Sequence, residues 1–537
     1  MNSPTQRAPL LFGVAAAIVC LGFAAFTGHM WEDYFITFRT SLNLATGNGL
    51  VFQPGERVHT FTSPLGTLLP ALFALGGGED VAVRALWGFR LVSVLALGAA
   101  LWVAVRALQR GRIVTLVVVG IGVAWALDPK IVDFSMNGME TGLIVLFVTL
   151  TWHAFSSGAR MLPCALGFAG LQWTRPDGCV YFVAIAIAWM AFGRPIAGLG
   201  WRERIFFVLR AIAVGRLIYL PWLIFAWSYY GSPVPHTIIA KVHPHSPGEL
   251  IGLLAAYPWR LLFGHTRVHD LFLPAGYYLG GWPEVLTWPS RILAVGAALA
   301  WTWPRVAPAG RIASGAFSLG GFYVAYIPGF PWYFPGWQSI GLLAWAHVLH
   351  ALWTVRPGTP WAMSLPEITV RISTALLVLL QAGLFGCVAW QMRTQQALIE
   401  NGHRREVGRW LAKNAGERDT VFLESLGYIG YYSGLKMLDT PGLASPEVVA
   451  TRRAGNRTFA QIISALHPDW LVLRPGEAST LYAEAPKLGQ TYRLVRPFDV
   501  TSAVEALPFV PGRGYLEYDA VFLVYRRTDA DFPLPAH

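Results

Sequence analysis

Two adjacent carboxylates, Glu32 and Asp33, follow the first apolar segment and are the residues that suggest chemistry most directly. A carboxylate held beside a membrane surface can act as a general base toward a hydroxyl group. The pair could instead be structural, because Asp33 could accept backbone N–H groups at the start of the helical stretch 34–45. Spacing alone therefore leaves a catalytic and a capping interpretation open.

Other ionisable residues lie at the ends of apolar segments, where a membrane protein often places its functional groups. They are Asp133, Glu140, Arg175, Asp177, His236, Lys241, His243 and His245. The chain has five lysines, and the membrane-like part holds only Lys130 and Lys241. An anionic ligand such as a lipid-linked phosphate would account for lysines at such places, and so would a lipid headgroup or simple exposure to solvent.

The amino-acid composition indicates that most of the chain is a membrane protein. Of the 537 residues, 54% are hydrophobic and 13% are charged, against about 25% charged in soluble proteins. These values exclude a water-soluble enzyme for most of the chain, as well as a disordered protein. The four cysteines lie in or beside apolar runs, which excludes a disulfide scaffold and a metal-binding spacing. The net charge of +11 comes largely from basic residues in short loops, so it indicates membrane topology and no nucleic acid.

About eleven apolar segments are candidates for membrane-spanning helices. They cover residues 10–27, 83–107, 113–128, 138–155, 161–173, 178–192, 206–228, 283–303, 312–328, 337–354 and 372–391. The first could be a cleaved signal peptide, but the many spans that follow favour a signal anchor.

The arginines set the predicted orientation, with the N-terminus in the cytoplasm. The inner loops then carry Arg110, Arg112, Arg160, Arg194, Arg202, Arg204, Arg305, Arg311, Arg356 and Arg371. The outer side receives the loops 28–82 and 229–282 and everything after residue 391. This orientation requires that the stretch 66–78 lie on the membrane surface, because a crossing there would turn Arg110 and Arg112 outward.

From about residue 395 the composition changes to that of a soluble domain. Charged residues become frequent, a polar helical stretch covers 404–415, and alternating patterns at 420–424, 470–473 and 518–525 predict strands. The expected organisation is a transmembrane module, 1–394, followed by an extracytoplasmic α/β domain, 395–537.

Several motifs resemble those of one glycosyltransferase family. The stretches 32–39, EDYFITFR, and 43–52, NLATGNGLVF, resemble the first outer loop of GT-C enzymes of the actinobacterial terminal arabinofuranosyltransferase family, as do Pro54–Val58 and Thr62–Leu65. Later motifs occur in the family's order: NGMET at 137–141, TRPDG at 174–178, PHT with AK at 235–241, WYFP at 332–335, GYIGYY at 427–432 and DTPGL at 439–443. The family usually has two aspartates where this chain has Glu32 and Asp33.

The resemblance implies a polytopic GT-C enzyme of the bacterial inner membrane. Such an enzyme would transfer a sugar from a polyprenyl-phosphate donor with inversion of configuration at the anomeric carbon. Asp33, or Glu32, would be the base, with Asp33 favoured. Lys241, Arg175 and His236 would bind the donor phosphate. Substrate would contact Arg39, Arg57, Glu140, Asp177, Trp332 and Tyr333. The turn at 175–178 could also be only a tight turn closed by an internal ion pair.

The residues do not identify the acceptor, the sugar or a requirement for a metal ion. Arabinofuranose is the sugar that the family suggests, and the acceptor could be a cell-envelope glycan or a surface protein. No cofactor is certain; a divalent metal is possible, since several GT-C enzymes use one, but the acidic pair and nearby histidines form no recognisable ligand set. The alternatives are a transporter or flippase of polyprenyl-linked glycan, disfavoured by the lack of internal repeats, and a membrane scaffold whose C-terminal domain binds glycan.

Overall fold

The computed structural model describes residues 4–194, 200–241, 246–327, 329–355 and 365–528. His243, His245 and Arg356 lie outside the described residues. Within these ranges the chain forms a large helical bundle followed by a smaller unit built on one β-sheet.

Helices make up most of the described residues up to residue 395. In chain order they are α1 (Pro4–Thr27), α2 (Glu32–Ala45), α3 (Pro64–Ala74), α4 (Val81–Arg110), α5 (Thr115–Ala126), α6 (Pro129–Met136), α7 (Thr141–Ser156), α8 (Met161–Thr174), α9 (Gly178–Phe192), α10 (Trp201–Tyr230), α11 (His236–Lys241), α12 (Pro247–Leu262), α13 (Thr287–Leu299), α14 (Pro308–Tyr326), α15 (Pro335–Trp353) and α16 (Leu365–Gln395). Short 3₁₀ helices cover Arg267–Phe272, Tyr277–Leu279, Glu284–Leu286, Ala300–Thr302 and Pro331–Tyr333.

A helix occupies each of the eleven apolar segments. In the described chain, α1, α4, α10 and the run from α16 into the following helix are long and apolar enough to cross a membrane, and α5 with α6 is a fifth candidate bent by 43°. The remaining helices are shorter or less apolar, so the number of crossings stays a prediction. Helix α3 has 11 residues, about 16 Å, and is too short to cross about 30 Å of hydrocarbon.

The bundle packs around large apolar side chains. Trp152, Trp189 and Trp337 are fully buried in its core. By contrast, α10 and α16 expose aliphatic side chains on one side, including Leu217 and Leu379. A helix that buries one face and exposes apolar residues on the other fits a lipid-facing position.

The C-terminal unit contains a mixed five-stranded sheet. Its strands are β1 (Thr420–Leu423), β2 (Lys436–Asp439), β3 (Trp470–Leu473), β4 (Tyr492–Asp499) and β5 (Val521–Arg527), in the order β2-β1-β3-β5-β4. The first three are parallel, and β5 is antiparallel to β3 and β4. Its helices are α17 (Arg405–Asn414), α18 (Leu426–Ser433), α19 (Pro446–Arg453), α20 (Phe459–Leu466), α21 (Pro475–Glu484), α22 (Pro486–Gln490), α23 (Thr501–Glu505) and α24 (Arg513–Glu517).

One sequence expectation in this unit needs correction. The strand predicted at 518–525 begins only at Val521, because Tyr518 keeps helical backbone angles at the end of α24. The change of composition at residue 395 does not coincide with a break in the chain. Helix α16 continues through a π-helical segment, Gln396–Arg404, into α17. Strands β2 and β4 escaped the sequence analysis; β4 is largely exposed and lacks a clean apolar alternation.

Candidate active site

A cavity of about 270 Å³ lies where the loops at one end of the bundle meet the C-terminal unit. Its walls come from α2, the segment 60–63, the starts of α7 and α9, α11, the end of α14 and the 3₁₀ helix Pro331–Tyr333. The predicted site residues that line it are Asp33, Glu140, Arg175, Asp177, Lys241, Trp332 and Tyr333. Residues that are more than 200 positions apart in sequence therefore face one space.

Asp33 projects into this cavity from the first turn of α2. The adjacent Glu32 side chain is its hydrogen-bond partner, and neither acidic side chain caps α2, whose N-cap position is Trp31. Burial raises the pKa of Asp33, while the positive charge of Lys241 opposes that rise. The side chain is thus available to a ligand, and the capping interpretation does not apply.

Glu32 points away from the cavity, toward the C-terminal unit. Its Oε1 accepts a hydrogen bond from the backbone N–H of Gly427 at the start of α18. Burial, followed by the neighbouring charge of Asp33, raises the pKa of Glu32 well above its usual range. The two carboxyls of the pair therefore have different surroundings: Glu32 contacts α18, whereas Asp33 faces Lys241.

Lys241, the last residue of α11, is the cation that faces Asp33. Its ammonium lies 5.2 Å from the centre of the Phe330 ring, and it has no hydrogen bond or ion pair within the described part of the chain. Burial lowers the pKa of Lys241, and the charge of Asp33 counteracts that effect. A cavity-facing ammonium without a fixed partner can bind an anionic group.

Arg175, in contrast, is held on two sides. Its Nη1 lies 2.7 Å from Glu140 Oε1, and its Nε lies 2.8 Å from Asp177 Oδ1. The Tyr323 hydroxyl donates to Asp177 at 3.1 Å, and the Arg175 guanidinium lies 4.6 Å from the centre of the Tyr333 ring. The internal ion pair predicted as an alternative for the 175–178 turn is present, and both of its partners line the cavity.

The segment NGMET positions Glu140 next to α2. The backbone N–H of Trp31 donates to the carbonyl oxygen of Asn137 at 2.9 Å. Gly138 has φ of 101°, and a Cβ atom there would lie 2.4 Å from the Tyr34 ring. Only glycine fits such a close approach with a left-handed backbone. This packing fixes the two carboxylate-bearing segments against each other.

A buried histidine–aspartate pair lies next to the contact between the NGMET segment and α2. His29 Nδ1 lies 2.7 Å from Asp133 Oδ1, and both residues are almost fully buried. The Arg90 guanidinium donates to the carbonyl oxygens of His29 and Met136. Asp133, which the sequence places near the site, thus lies behind the wall of the cavity and not in it.

Aromatic side chains form one wall. Trp332 and Tyr333 line the cavity, and Trp332 stacks on Phe330 with ring centres 4.6 Å apart. Trp31 lies behind them, 5.9 Å from Trp332. Flat rings beside a polar cavity are suited to contacts with a sugar face.

Three predicted cations do not line the cavity. Arg39 is buried and donates to the carbonyl oxygens of Gly430, Gly434 and Leu435, so it joins α2 to α18. Arg57 lies over the Tyr229 ring at 5.1 Å. His236 donates its backbone N–H to the carbonyl oxygen of His59, and the charges that act on its imidazole are those of Asp439, Arg453 and Glu447. Their charge made them candidates, but their contacts with distant parts of the chain hold them outside the cavity.

Lys130 is also held by a structural contact. Its ammonium donates to the carbonyl oxygen of Asp270 at 2.9 Å.

Several cavity residues were not singled out from the sequence. They are Thr37, Thr60, Ser63, Thr237, Tyr323 and Leu443. Thr37, Ser63, Thr237 and Leu443 lie inside motifs quoted above, so the motifs were the available signal for them. Leu443 comes from the C-terminal unit, where the Asp439 carboxylate accepts the backbone N–H groups of Leu443 and Ala444 and shapes this loop.

The carboxylates near the cavity do not fit a divalent metal. In the described residues no group of three or more His, Cys, Asp or Glu side chains could hold one. Glu140 and Asp177 are bound to Arg175, and Asp33 faces an ammonium group. A metal site needs converging oxygen ligands without such cations.

Solved structures with the same fold are known. ArnT from Cupriavidus metallidurans, in a crystal structure with bound undecaprenyl phosphate, matches with a TM-score of 0.53 over 98% of this chain and 99% of that one, at 13% sequence identity. The fold is GT-C. The resemblance drawn from the motifs is confirmed, and the chain is a polytopic helical membrane protein.

Sequence relatives point to one GT-C group in particular. The terminal beta-(1->2)-arabinofuranosyltransferase of Mycobacterium tuberculosis is 30% identical over 252 residues, 44% of this chain and 38% of that protein. The enzyme of the same name from Corynebacterium glutamicum is 27% identical over 234 residues, 39% of this chain and 32% of that protein. The matched region therefore spans well under half of each curated relative. Residues 390–524 match a domain of unknown function, DUF8728.

Proposed function

We propose that this GT-C protein transfers a sugar from a polyprenyl-phosphate donor to an acceptor hydroxyl group, with inversion at the anomeric carbon. The observation that carries the proposal is one cavity in which an accessible carboxylate, Asp33, faces a cation without a partner in the described chain, Lys241. The names of the curated relatives and the undecaprenyl phosphate bound to ArnT support the same class of reaction.

In the proposed reaction Asp33 is the general base. Its carboxylate accepts the proton of the acceptor hydroxyl as that oxygen forms the new bond to the anomeric carbon. The bond from the anomeric carbon to the phosphate oxygen breaks, and its electron pair leaves with the polyprenyl phosphate. Glu32 is bound to the backbone N–H of Gly427, so Asp33 is the carboxyl of the pair that faces the cavity.

The leaving phosphate gains charge as the glycosidic bond breaks, and a fixed cation stabilises that charge in the transition state. Lys241 is the group proposed for this role. Arg175 is already held by Glu140 and Asp177, so its contribution is to orient the lining and contact the donor through its remaining N–H groups.

The size of the cavity favours a small sugar. Its volume of about 270 Å³ is near the lower end of ligand pockets, which run from about 300 to 1,000 Å³. A monosaccharide with its phosphate suits that space better than an oligosaccharide does. Arabinofuranose is the proposed sugar because of the names of the relatives, and the proposed acceptor is a cell-envelope glycan or surface protein.

The proposed topology has eleven membrane crossings in the bacterial inner membrane, with a cytoplasmic N-terminus and the cavity on the outer side. The helices that coincide with the apolar segments and the arginines of the opposite loops support it. The proposed domains are a transmembrane module, 1–394, and an extracytoplasmic α/β domain, 395–537. Leu443 at the cavity suggests that this domain covers the acceptor entrance.

The experiment supplies purified full-length protein in liposomes with polyprenyl-phosphate arabinofuranose and an arabinan acceptor. The expected result is a product with the anomeric configuration opposite to that of the donor. Asp33→Asn is expected to lower the rate by about 10²–10⁴-fold, whereas Asp80→Asn, which changes an exposed acid of the same loop, leaves it unchanged. Glu32→Gln is expected to be the milder change of the acidic pair.

Two outcomes would contradict the proposal. Full activity of Asp33→Asn would remove the proposed base. Movement of the intact lipid-linked sugar across the liposome membrane without any transfer would instead identify a flippase.

A further inference from the structure

A second cavity, of about 400 Å³, lies at the other end of the bundle. Helices α7, α9, α14 and α15 have one end beside the first cavity and the other end beside this one. Helices α7 and α14 have 16 and 19 residues, which at 1.5 Å per residue gives about 24–28 Å between the two cavities. The second cavity is therefore distinct from the proposed transfer site and, in the proposed topology, faces the cytoplasm.

The ionisable groups of this cavity are all basic. Arg110 ends α4, Arg194 follows α9, and His153 and His347 reach it from α7 and α15. No carboxylate is among its described lining residues, and neither arginine has an ion pair within the described ranges. Topology explains why arginines lie in these loops, but it requires neither a cavity nor histidines turned toward it.

His347 is the observation that topology does not explain. Its side chain is 3% exposed, and both ring nitrogens are buried without a hydrogen-bond partner in the described chain. A buried polar group without a partner costs about 1–3 kcal/mol, so such groups usually have one. Helix α14 approaches closely at Gly310, where a Cβ atom would lie 2.3 Å from that of His347. The fold thus places this imidazole at the cavity with its hydrogen-bonding capacity unused.

The start of α14 adds a third feature. Residues Ala307, Pro308 and Ala309 line the cavity, and the N-cap residue, Ala307, provides no side-chain cap. The first backbone N–H groups of a helix, together with its dipole, favour an anion. The helix start, the arginines and His347 converge on one space.

We propose that this second cavity binds a phosphate group, carried either by the headgroup of an anionic lipid or by a small soluble phosphate ester. Arginine guanidinium groups bind phosphate oxygens in charge-assisted pairs. Ala107 and Ala309 in the same lining are partly exposed and provide apolar surface for the organic part that carries the phosphate. The inference does not depend on the proposed transfer reaction.

The test measures lipid binding to delipidated full-length protein by native mass spectrometry. Dioleoyl phosphatidic acid is compared with dioleoylglycerol, which differs only by the phosphate. Wild-type protein is expected to bind the phosphatidic acid at least tenfold more tightly. The double variant Arg110→Gln/Arg194→Gln is expected to lose about tenfold in affinity or more, whereas Arg112→Gln, in the same loop as Arg110 but outside the cavity lining, keeps wild-type affinity.

Further measurements distinguish a lipid ligand from a soluble one, and the second cavity from the first. Binding of glycerol 3-phosphate with the same dependence on the arginines identifies a soluble ligand, and its absence beside tight phosphatidic acid binding identifies a lipid headgroup. His347→Phe is expected to weaken binding; if it does not fold, the arginine variant decides. Three results overturn the proposal: equal affinity for the two lipids together with no binding of glycerol 3-phosphate, wild-type affinity in the double variant, or a loss seen only in Lys241→Gln.

Discussion

Two clusters of buried charge in the protein differ in how completely their charges are paired. In the junction cluster, Arg404 contacts Glu400 and Asp519, and Arg474 contacts Asp519 at 2.5 Å and Glu424 at 2.7 Å. Burial alone would raise the pKa of Asp519, yet the two arginines lower it to about 2. The cavity cluster has a similar number of charges, but Asp33 and Lys241 face open space.

The difference shows how to separate structural from ligand-binding charges. A closed cluster satisfies its groups within the fold, and removing one leaves the others buried without a partner. An open cluster leaves hydrogen-bonding capacity for a ligand, so its loss should affect activity more than stability. Variants in the junction cluster and in the cavity cluster test this division.

The largest effect on stability is expected in the junction cluster. Arg404→Met should lower the free energy of unfolding by about 3–5 kcal/mol, because Asp519 and Glu400 stay buried after losing a cation. Thermal unfolding of the purified protein measures the change. Arg409→Met, one helical turn further on and exposed, is the control and should change stability by less than about 0.5 kcal/mol. Equal unfolding temperatures for the two variants would show that the cluster is not closed.

In the cavity cluster, Lys241→Gln should act on the rate. Loss of the cation facing the leaving phosphate is expected to lower kcat about 100-fold, with little change in unfolding temperature. Lys413→Gln, at an exposed lysine outside the cavity, should behave as wild type. If the lysine variant unfolds early and keeps its rate, Lys241 belongs with the structural charges.

The pH dependence tests the coupling between Asp33 and Lys241. Only the carboxylate form of Asp33 accepts a proton, so kcat/KM should rise with pH as Asp33 loses its own proton. Because burial raises the pKa of Asp33 and Lys241 opposes the rise, Lys241→Gln should move this acidic limb to higher pH. A limb that stays in place, measured beside Lys413→Gln, would mean that the two groups are not electrostatically coupled.

The smallest effect is expected for a cation outside both clusters. Arg57 stacks on the Tyr229 ring and does not reach the cavity. Arg57→Ala should therefore change kcat/KM by less than about twofold and stability by about 0.5–1 kcal/mol, the value of an exposed cation–π contact. A tenfold rise in KM for the donor lipid would place Arg57 back among the substrate contacts.

The sequence was most informative in long apolar segments and at residues of a type that is rare in this chain. The apolar segments predicted where helices lie, since about 20 consecutive apolar residues have few other stable states. Lys241 stood out because lysine is scarce in the first 394 residues, and it lies in the cavity. Its neighbours Glu140 and Asp177 came from short motifs whose order matched a known family.

The same reasoning did not anticipate positions that depend on distant partners. Arg39 carries the charge expected of a ligand contact, but its donors are used by carbonyl oxygens almost 400 positions later. The strand predicted at 518 starts later because α24 extends its last turn. A local sequence pattern shows neither the carbonyl oxygens that Arg39 binds nor the end of α24.

By itself, then, the sequence determined the helical membrane architecture, the C-terminal α/β unit and the small set of ionisable residues from which a site could be built. Only the tertiary structure decided that Asp33 faces the cavity while Glu32 turns to Gly427, and that Lys241 remains unpaired within the described chain while Arg175 is held by two carboxylates. The physical reason is that hydrophobicity is a property of each segment, whereas the use of a charge depends on which opposite charges the fold brings within reach.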